Sequence, residues 1–349
     1  MQSSLFIHAT NIHQGGGHSL LTAILNALPS KMRVTLSLDS RMSLPEGLTQ
    51  DIRIKRVRPS IVQRIFAERW LAQNVAIGDV VLCFGNLPPL FKLRGRTIVF
   101  LQNRCLIDDV CLSDFPFLVW LRLTVERIWL FRRMKNVDEF VVQTPTMKKL
   151  LRKQTKYKIA VRILPFVAKP DMYSRKVSQF TMQDKNDLNF IYVASGETYK
   201  NHLRLLEAWR LLAEDGIFPS LYLTLNETRF PELCEIIDAM RQDYELKVIN
   251  VGELSHENVL NLYKKVDVLI YPSILESFGL PLIEARQAGL FVLASELDYV
   301  RDVLDPEQTF DPQSSSSIAR AVKRFMGKDE QALPLLNATR FLACLLEKA

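Results

Sequence analysis

Residues 266–285 constrain the fold of this chain more than any other stretch. Their apolar opening, 266–271, predicts a buried strand, and a Pro-Ser turn and a loop that holds Glu276 come next. A helix that carries Glu284 is expected to begin near Pro281, because proline lacks the N–H that has no partner in a first helical turn. Strand, loop and helix in this order form ligand sites at the carboxyl ends of strands in open α/β sheets.

The loop before this helix predicts an anion site. The amides near Gly279 and Leu280 should lie at the helix N-terminus, which attracts negative charge, and the glycine lets the backbone approach a ligand closely. Two carboxylates beside such a site suit a ligand with both phosphates and hydroxyls, as in a nucleotide sugar. The alternative is that Glu276 is an exposed loop residue and Glu284 a first-turn acid favoured by the helix dipole. The whole string of residues favours the ligand site.

Length and the alternation of strands and helices define the architecture. A chain of 349 residues exceeds one comfortable core and predicts two domains. We therefore predict an α/β protein with two Rossmann-like, doubly wound parallel-sheet domains that face a cleft. We expect the first domain at 1–167, a polar linker at 168–188, the second domain at 189–330 and a closing helix within 331–349. Whether that helix packs back on the first domain stays open.

The first domain should open with a strand at 5–7, a loop at 11–17 that ends in three glycines, and a helix at 19–28. The glycines do not complete G-x-G-x-x-G, which weakens a dinucleotide site and disfavours an oxidoreductase. They form either a tight turn or a backbone segment laid against a bound phosphate or sugar. We expect Gly16 and Gly17 to contact the donor.

The segment 115–135 leaves two interpretations open. Against one acid, Glu126, it sets aromatic, apolar and basic side chains together: Phe115, Phe117, Trp120, Ile128, Trp129, Phe131, Arg122, Arg127, Arg132, Arg133 and Lys135. Such a helix either lies in a membrane interface or packs on the core with a basic, solvated face. The basic residues of the stretch 53–58 belong to the same half and slightly favour an anionic membrane or acceptor. An amphipathic helix is predicted at 61–76.

Composition limits the partners. The net charge of +7 and the pI near 9.1 fit nucleic acid, an anionic small molecule or an anionic membrane surface, and the usual nucleic-acid signatures are missing. The five cysteines lack metal or disulfide spacing and predict reduced thiols. With neither a signal peptide nor a run of transmembrane length, we expect a cytoplasmic protein, and peripheral contact with the inner face of a bacterial membrane stays open.

The residues now described resemble a known family. Glu276 and Glu284, with the surrounding Tyr-Pro-Ser and Glu-Ser-Phe-Gly-Leu-Pro-Leu-Ile-Glu-Ala, resemble the paired-glutamate motif of GT-B-fold retaining glycosyltransferases of the large family often numbered four. Lys200-Asn201 before a leucine-rich helix resembles that family's phosphate element, and 252–254 and 309–312 also fit. The resemblance covers most of the second domain, and the first domain only in layout.

The resemblance implies roles for these residues. Glu284 would bind the donor ribose, Glu276 would face the transferred sugar, and Lys200 would neutralise the leaving diphosphate without a metal or cofactor, so that Glu276 and Lys200 are the catalytic pair. The remaining donor-binding residues would be Gly16, Gly17, Ser195, Asn201, Gly252, Ser277, Phe278, Gly279 and Leu280. On the acceptor side we expect Gln102, Asn103 and Arg104. Retention of the anomeric configuration is implied by the family alone.

Two positions depart from the family pattern. Ser195 stands where an arginine usually precedes the lysine by five residues, and Gln102 stands where many members have a histidine. Losing a phosphate-binding arginine removes charge stabilisation from the leaving group. Arg204, Arg229 or a basic group of the first domain would compensate.

The resulting hypothesis is a hexosyltransferase that acts in bacterial surface polysaccharide synthesis, in O-antigen, other lipopolysaccharide or capsule assembly. Its partners would be a nucleotide sugar, a lipid-linked or oligosaccharide acceptor and an anionic membrane surface, and not nucleic acid. The alternative is a catalytically silent relative that binds glycan or partner enzymes, as the two departures suggest.

Overall fold

The computed structural model describes residues 4–28, 32–45, 52–108, 115–155, 159–167 and 188–328. Within them, two separate parallel sheets are covered by helices. The predicted α/β class with two doubly wound parallel sheets is confirmed. The predicted linker falls outside the described residues except for Leu188, as does the predicted closing helix at 331–349, so the domain boundaries stay predictions.

The first sheet has seven strands. Its elements in chain order are β1 (Leu5–Ala9), α1 (Gly15–Asn26), β2 (Val34–Asp39), β3 (Ile52–Val57), α2 (Ile61–Asn74), β4 (Val80–Cys83), β5 (Arg96–Phe100), α3 (Phe117–Arg133), β6 (Glu139–Val142), α4 (Pro145–Gln154) and β7 (Ala160–Ile163). A 3₁₀ turn at Arg104–Leu106 follows β5. The strand order is β3-β2-β1-β4-β5-β6-β7.

The second sheet has six strands. Its elements are β8 (Asn189–Tyr192), α5 (His202–Glu214), β9 (Ser220–Leu223), α6 (Pro231–Asp243), β10 (Val248–Asn250), α7 (His256–Tyr263), β11 (Val268–Tyr271), α8 (Leu280–Gln287), β12 (Phe291–Ser295), α9 (Asp298–Arg301), β13 (Gln308–Phe310) and α10 (Ser315–Met326). A 3₁₀ turn at Thr198–Lys200 precedes α5. The strand order is β10-β9-β8-β11-β12-β13.

Strand order places a crevice in each sheet. The order in which the strands are added reverses between β1 and β4 in the first sheet, and between β8 and β11 in the second, while all strands stay parallel. Ligands of open α/β sheets bind outside the carboxyl ends of the strands at such reversals. The loops after β1, β8 and β11 are those that the sequence singled out.

The cores show how the halves meet. Apolar clusters cover both faces of the first sheet, and one large cluster surrounds the second. Two residues of the loop after β11 leave their own half: Leu275 packs in one cluster of the first sheet and Leu280 against the other. Thr146 N also donates to Asp302 Oδ2 at 3.0 Å. The loop after β11 therefore bridges the two sheets.

Three local predictions were wrong or incomplete. The three glycines form the first turn of α1 instead of the loop before it. Glycine is disfavoured in helix interiors, but a first turn lacks intrahelical partners for its N–H groups and tolerates it. The short elements α9 and β13 were missed, because three or four residues carry too little periodicity to detect.

Candidate functional site

A cavity opens between the sheets at the two reversals. Its volume is about 470 Å³, and its lining comes from the start of α1, the loops after β5, β8 and β11, and the 226–230 turn. Lys200, Tyr271 and Glu276 lie on its second-sheet side, and Gly16 and Gln102 on its first-sheet side. The cavity therefore joins motifs far apart in the chain.

Lys200 and Glu276 form the charged centre of this cavity. Lys200 Nζ lies 2.5 Å from Glu276 Oε1, and the two side chains are 13% and 14% exposed. Tyr271 donates its hydroxyl to the same Oε1 at 2.8 Å. Burial, and then the carboxylate of Glu276, raise the pKa of Tyr271 well above its ordinary value, so its proton stays available for this bond. The contacts described for this carboxylate thus engage one oxygen.

Side-chain hydrogen bonds to backbone carbonyls hold the segment around Lys200 in place. Asn201 has a left-handed φ of 67° and donates its side-chain amide to Pro272 O at 3.1 Å and Pro312 O at 2.7 Å. Tyr192 donates its hydroxyl to Lys200 O at 2.7 Å. His202 follows, packed against the ring of Tyr192 with neither ring nitrogen hydrogen-bonded to the described residues. Burial, and then Lys200, lower the pKa of His202 to about 3, so it is neutral.

The loop after β11 enters α8 through a glycine that no other residue replaces easily. Gly279 is the N-cap of α8 with a φ of 74°, and a Cβ there would lie 2.8 Å from Leu282 Cδ1. Pro281 stands in the first turn, as predicted. Gly16 also needs to be small, because its Cβ would lie 2.9 Å from Leu280 Cδ1. Gly279 thus permits the tight entry into α8, and Gly16 permits the start of α1 to lie against Leu280 at the start of α8.

Arg229 contacts the same carboxylate as Ser195, the residue that stands where the family usually has an arginine. Ser195 lines the cavity and its hydroxyl bonds to the carboxylate of Glu197. Arg229 also lines the cavity, with its guanidinium 3.2 Å from Glu197 Oε1. Arg204 instead bonds to the carbonyl of Gln313 and does not line the cavity. Of the two arginines predicted to compensate, Arg229 is the one that lines the cavity.

Glu284 is paired with a histidine of α7 and does not line the main cavity. Its Oε1 is 3.0 Å from His256 Nε2, and it is not among the residues that line the 470 Å³ cavity. A second, more open cavity of about 750 Å³ adjoins the first and shares Asn226 with it. Gly252 lines this second cavity, and Glu253 lines both.

Of the three predicted acceptor-side residues, Arg104 contacts the loop that carries Glu276. Gln102 lines the cavity, and Asn86 Oδ1 accepts from the amides of Gln102 at 2.6 Å and Asn103 at 3.0 Å. Arg104 N donates to Ser277 Oγ at 3.4 Å, and Arg104 Nη1 donates to Glu276 O at 3.5 Å. The turn after β5 therefore packs directly on the loop after β11.

Most predicted site residues meet in one place. Those that line the main cavity are Gly16, Gly17, Gln102, Ser195, Lys200, Glu276, Ser277, Phe278, Gly279 and Leu280. Asn201, Asn103, Arg104 and Glu284 support or flank it. Tyr271 was missed as a site residue, because at the end of an apolar strand it resembles a core residue. In the described ranges, no three His, Cys, Asp or Glu side chains are grouped to hold a metal ion.

Comparison with known proteins finds relatives by sequence and structural neighbours by fold. The model of the family described as "Glycosyl transferases group 1" matches residues 174–340. The O-antigen chain mannosyltransferase RfbU of Salmonella typhimurium is 34% identical over 286 residues, which cover 81% of this chain and 75% of that enzyme. The serotype-specific mannosyltransferase WbdA of Escherichia coli is 30% identical over 147 residues. That match covers 41% of this chain and only 18% of the relative.

Solved structures share the fold at low identity. The Anabaena protein HepE, in complex with UDP-glucose, superposes with a TM-score of 0.66 at 13% identity, covering 92% of this chain and 89% of that one. A UDP-forming trehalose-phosphate synthase from Burkholderia vietnamiensis gives the same TM-score at 10% identity, covering 92% and 91%. These neighbours support the predicted GT-B architecture.

Proposed function

This chain belongs to the glycosyl transferases of group 1, and we propose that it moves a hexose from a nucleoside diphosphate sugar to a glycan acceptor. One observation carries the proposal most directly. A lysine and a glutamate that lie 76 positions apart in the chain meet at 2.5 Å in the cavity between the two sheets. That cavity lies at the sheet reversals, where α/β proteins bind nucleotides.

Each side chain has a role in the proposed transfer. The bond between the anomeric carbon and the diphosphate oxygen breaks, and the nucleoside diphosphate leaves with the bonding electrons. Lys200, Arg229 and the amides at the start of α8 neutralise that charge. Glu276 faces the sugar, with its Oε1 held by Tyr271 and Lys200. The acceptor hydroxyl oxygen forms the new bond to the anomeric carbon and passes its proton to the departing diphosphate oxygen, with retention at the anomeric carbon as the resemblance implies.

The two cavities suggest how the donor lies. In our proposal the diphosphate and sugar occupy the 470 Å³ cavity, and the nucleoside extends toward the second cavity beside Gly252. Glu284, in the middle of α8, takes the ribose hydroxyls after its bond to His256 opens or rearranges. The mannosyltransferase relatives support mannose as the hexose and a surface polysaccharide as the destination. The acceptor in this proposal is lipid-linked.

We also propose that the transfer needs no metal ion. A lysine and an arginine both line the cavity and supply positive charge where the diphosphate departs. Activity should therefore survive removal of divalent ions by a chelator and should not rise when magnesium or manganese is returned. A chelator-sensitive activity restored by either ion would refute metal independence and leave the rest of the proposal standing.

The first experiment is a donor screen. GDP and UDP, and their mannose and glucose conjugates, are tested for a rise in melting temperature, because a ligand that binds the native state stabilises it. Hydrolysis or transfer is then measured for the wild type and for Lys200→Ala and Glu276→Gln. We expect one donor to be turned over and both variants to lose that turnover, while the matched surface variants Lys247→Ala and Glu257→Gln keep it.

The same screen distinguishes the transferase from the catalytically silent alternative. That alternative follows from Ser195 and Gln102, which replace the usual arginine and histidine. Both residues line the cavity, and Arg229 accompanies them there. A protein that binds a nucleotide sugar but never turns it over, with wild type and Lys200→Ala alike, would be a binding protein and not a transferase.

A further inference from the structure

The helix α3 turns an apolar stripe toward solvent. It packs inward through Leu123 and Leu130, which are buried. On the opposite side, exposed apolar residues recur every three or four positions: Phe117, Leu121, Val125 and Ile128. Phe117 and the adjacent Leu118 are 69% and 77% exposed. The solvent side of α3 therefore carries large apolar side chains, and the helix has apolar residues on both its inner and its outer side.

The helix α2 repeats this arrangement. Ala67 and Leu71 face the core, whereas four apolar residues of its first two turns are exposed: Ile61, Val62, Ile65 and Phe66. Ile61 is 81% exposed. Exposure of large apolar side chains to water is unfavourable, and a cluster of exposed apolar residues on one protein marks a contact surface.

The two stripes belong to neighbouring helices. The guanidinium of Arg64 on α2 lies over the ring of Trp129 on α3, 5.2 Å from its centroid. Trp129 in turn donates its indole N–H to Pro88 O at 2.8 Å. We use the term α2–α3 face for the exposed apolar residues Ile61, Val62, Ile65, Phe66, Phe117, Leu118, Leu121, Val125 and Ile128.

Charge on this face has one sign. Each helix contains a single acid, and both acids turn inward: Glu68 is buried against His8 and Arg64, and burial raises the pKa of half-buried Glu126. The exposed charged residues within α2 and α3 are basic, and so are those of the stretch 53–58 before α2: Arg53, Arg56, Arg58, Arg69, Arg122, Arg132 and Arg133. Across α2 and α3, which the structure describes in full, the solvent side combines apolar and positive groups without an acid.

We propose that the α2–α3 face docks this protein on the surface of an anionic phospholipid bilayer. Exposed Phe, Leu, Ile and Val side chains enter the boundary between headgroups and acyl chains, and the surrounding arginines bind the lipid phosphates. A second protein would equally cover the apolar residues, but every exposed charge within α2 and α3 is positive, which favours a partner with a negative surface. Among the described residues, no helix is long and apolar enough to cross a bilayer, so the contact is interfacial.

The docking face is joined to the cleft by hydrogen bonds. Arg127, on the inner side of α3, donates to Cys105 O and Asp108 O, both at 2.8 Å. The same turn holds Arg104, which contacts Ser277 and the loop of the proposed catalytic glutamate. A bilayer under α3 therefore lies next to the acceptor side of the cleft, which suits a lipid-linked acceptor. This last point rests on the proposed function, whereas the docking itself does not.

Vesicle sedimentation tests the docking on the full chain without donor or acceptor. We expect the wild type to pellet with vesicles of phosphatidylcholine and phosphatidylglycerol at low salt, and less with phosphatidylcholine alone or at high salt. The double variant Leu121→Asp, Val125→Asp should lose about tenfold or more in vesicle affinity, because two side chains leave the acyl boundary and two negative charges approach it. Both sites are exposed, so the fold should persist.

A matched pair of variants controls for surface change alone. Ile236→Asp, Ile249→Asp replaces two residues of the second sheet's half, each 41% exposed, against 44% and 53% for Leu121 and Val125. This control should bind vesicles as the wild type does. Absence of wild-type sedimentation at low salt, or equal losses in the two double variants, would overturn the proposal. Dimerisation abolished by the α2–α3 variant, without vesicle binding, would assign the face to a second copy instead.

The charge component has its own test. Arg58→Gln, Arg69→Gln, Arg122→Gln should weaken binding to the anionic vesicles severalfold and flatten its dependence on salt, because fewer lipid phosphates are engaged. Donor turnover should stay at the wild-type level in this variant and in the apolar variant, since none of these residues lines the cavity. A wild-type salt dependence in the triple variant would show that the arginines do not face the bilayer.

Discussion

The two halves of this molecule share a fold and use it differently. In the second half, the loops at the sheet reversal carry polar side chains fixed by hydrogen bonds, as Lys200, Asn201 and Glu276 are. In the first half, the corresponding loops supply small or amide residues to the cavity, while α2 and α3 expose apolar stripes. The family model matches residues 174–340, in the half with the charged centre. Our two proposals account for this difference: chemistry at a diphosphate would restrict residue types, whereas docking on a bilayer would require only apolar and basic character.

The largest effect should separate the cations of the cavity. Lys200→Met should lower kcat about a hundredfold to a thousandfold, because a charge aimed at the leaving group is lost. Arg229→Met should cost less, since its side chain is half exposed and also serves Glu197. Arg204→Met, remote from the cavity lining, is the matched control and should leave kcat unchanged. Steady-state kinetics on the donor found in the screen decides; a greater loss for Arg204→Met than for Arg229→Met would reverse our assignment.

Backbone strain at Gly279 gives the next effect. Gly279→Ala should destabilise the protein by about 2 kcal/mol or more, because alanine resists a φ of 74° and its Cβ meets buried Leu282. Gly327→Ala is the control: its φ is 70°, but its Cβ would meet nothing within 4 Å, so only the cost of about 1 kcal/mol for the backbone remains. Denaturant unfolding compares the two, and equal losses would show that close packing at α8 does not matter.

Acidification should lower the free energy of unfolding through His202 by an amount similar to that expected for Gly279→Ala. Its pKa is about 3 in the folded protein and near 6.5 unfolded, so the unfolded chain binds a proton first as the pH falls. Stability should drop through this window, and the part due to His202 between pH 7 and pH 5 is about 2 kcal/mol. His202→Phe should lose less stability over that range by this amount. Identical pH dependence in urea unfolding of the two proteins would mean that His202 takes up its proton as readily in the folded state as in the unfolded chain.

Tyr271 should have the smallest effect of the four. Tyr271→Phe removes one of the two described partners of Glu276 Oε1, and we expect kcat to fall about tenfold with KM nearly unchanged, because one hydrogen bond to a charged group is lost. Tyr263→Phe is a matched control: the ring is also fully buried, and its hydroxyl has no hydrogen-bond partner among the described residues. An equal loss of kcat in both variants would assign the effect to packing.

Sequence reasoning succeeded where local patterns determine structure. Strand and helix alternation predicted both sheets, and the glycine and proline of 279–281 predicted the start of α8. It failed for the glycines at the start of α1, where helix propensity argues against the observed helix. The outward direction of the stripe on α2 was also missed, because periodicity identifies an apolar face but not whether anything covers it.

The site itself was predicted in composition more than in arrangement. The meeting of Lys200 with Glu276 joins loops after β8 and β11, and adjacency of those strands follows only from the sheet order. Tyr271 was not recognised, since its hydroxyl reaches the glutamate from the end of a buried strand. The bond between Glu284 and His256 was equally invisible, because only packing of α7 beside α8 brings them together.

One paired measurement tests the division between the halves most directly: donor turnover and anionic vesicle binding, each recorded for the wild type, Lys200→Ala and the Leu121→Asp, Val125→Asp double variant. We predict opposite outcomes for the two variants. Lys200→Ala should lose turnover and pellet with vesicles as the wild type does, and the double variant should turn over the donor and remain in the supernatant. Loss of both properties in either folded variant would contradict the account, because the charged centre and the docking face would then not be separable.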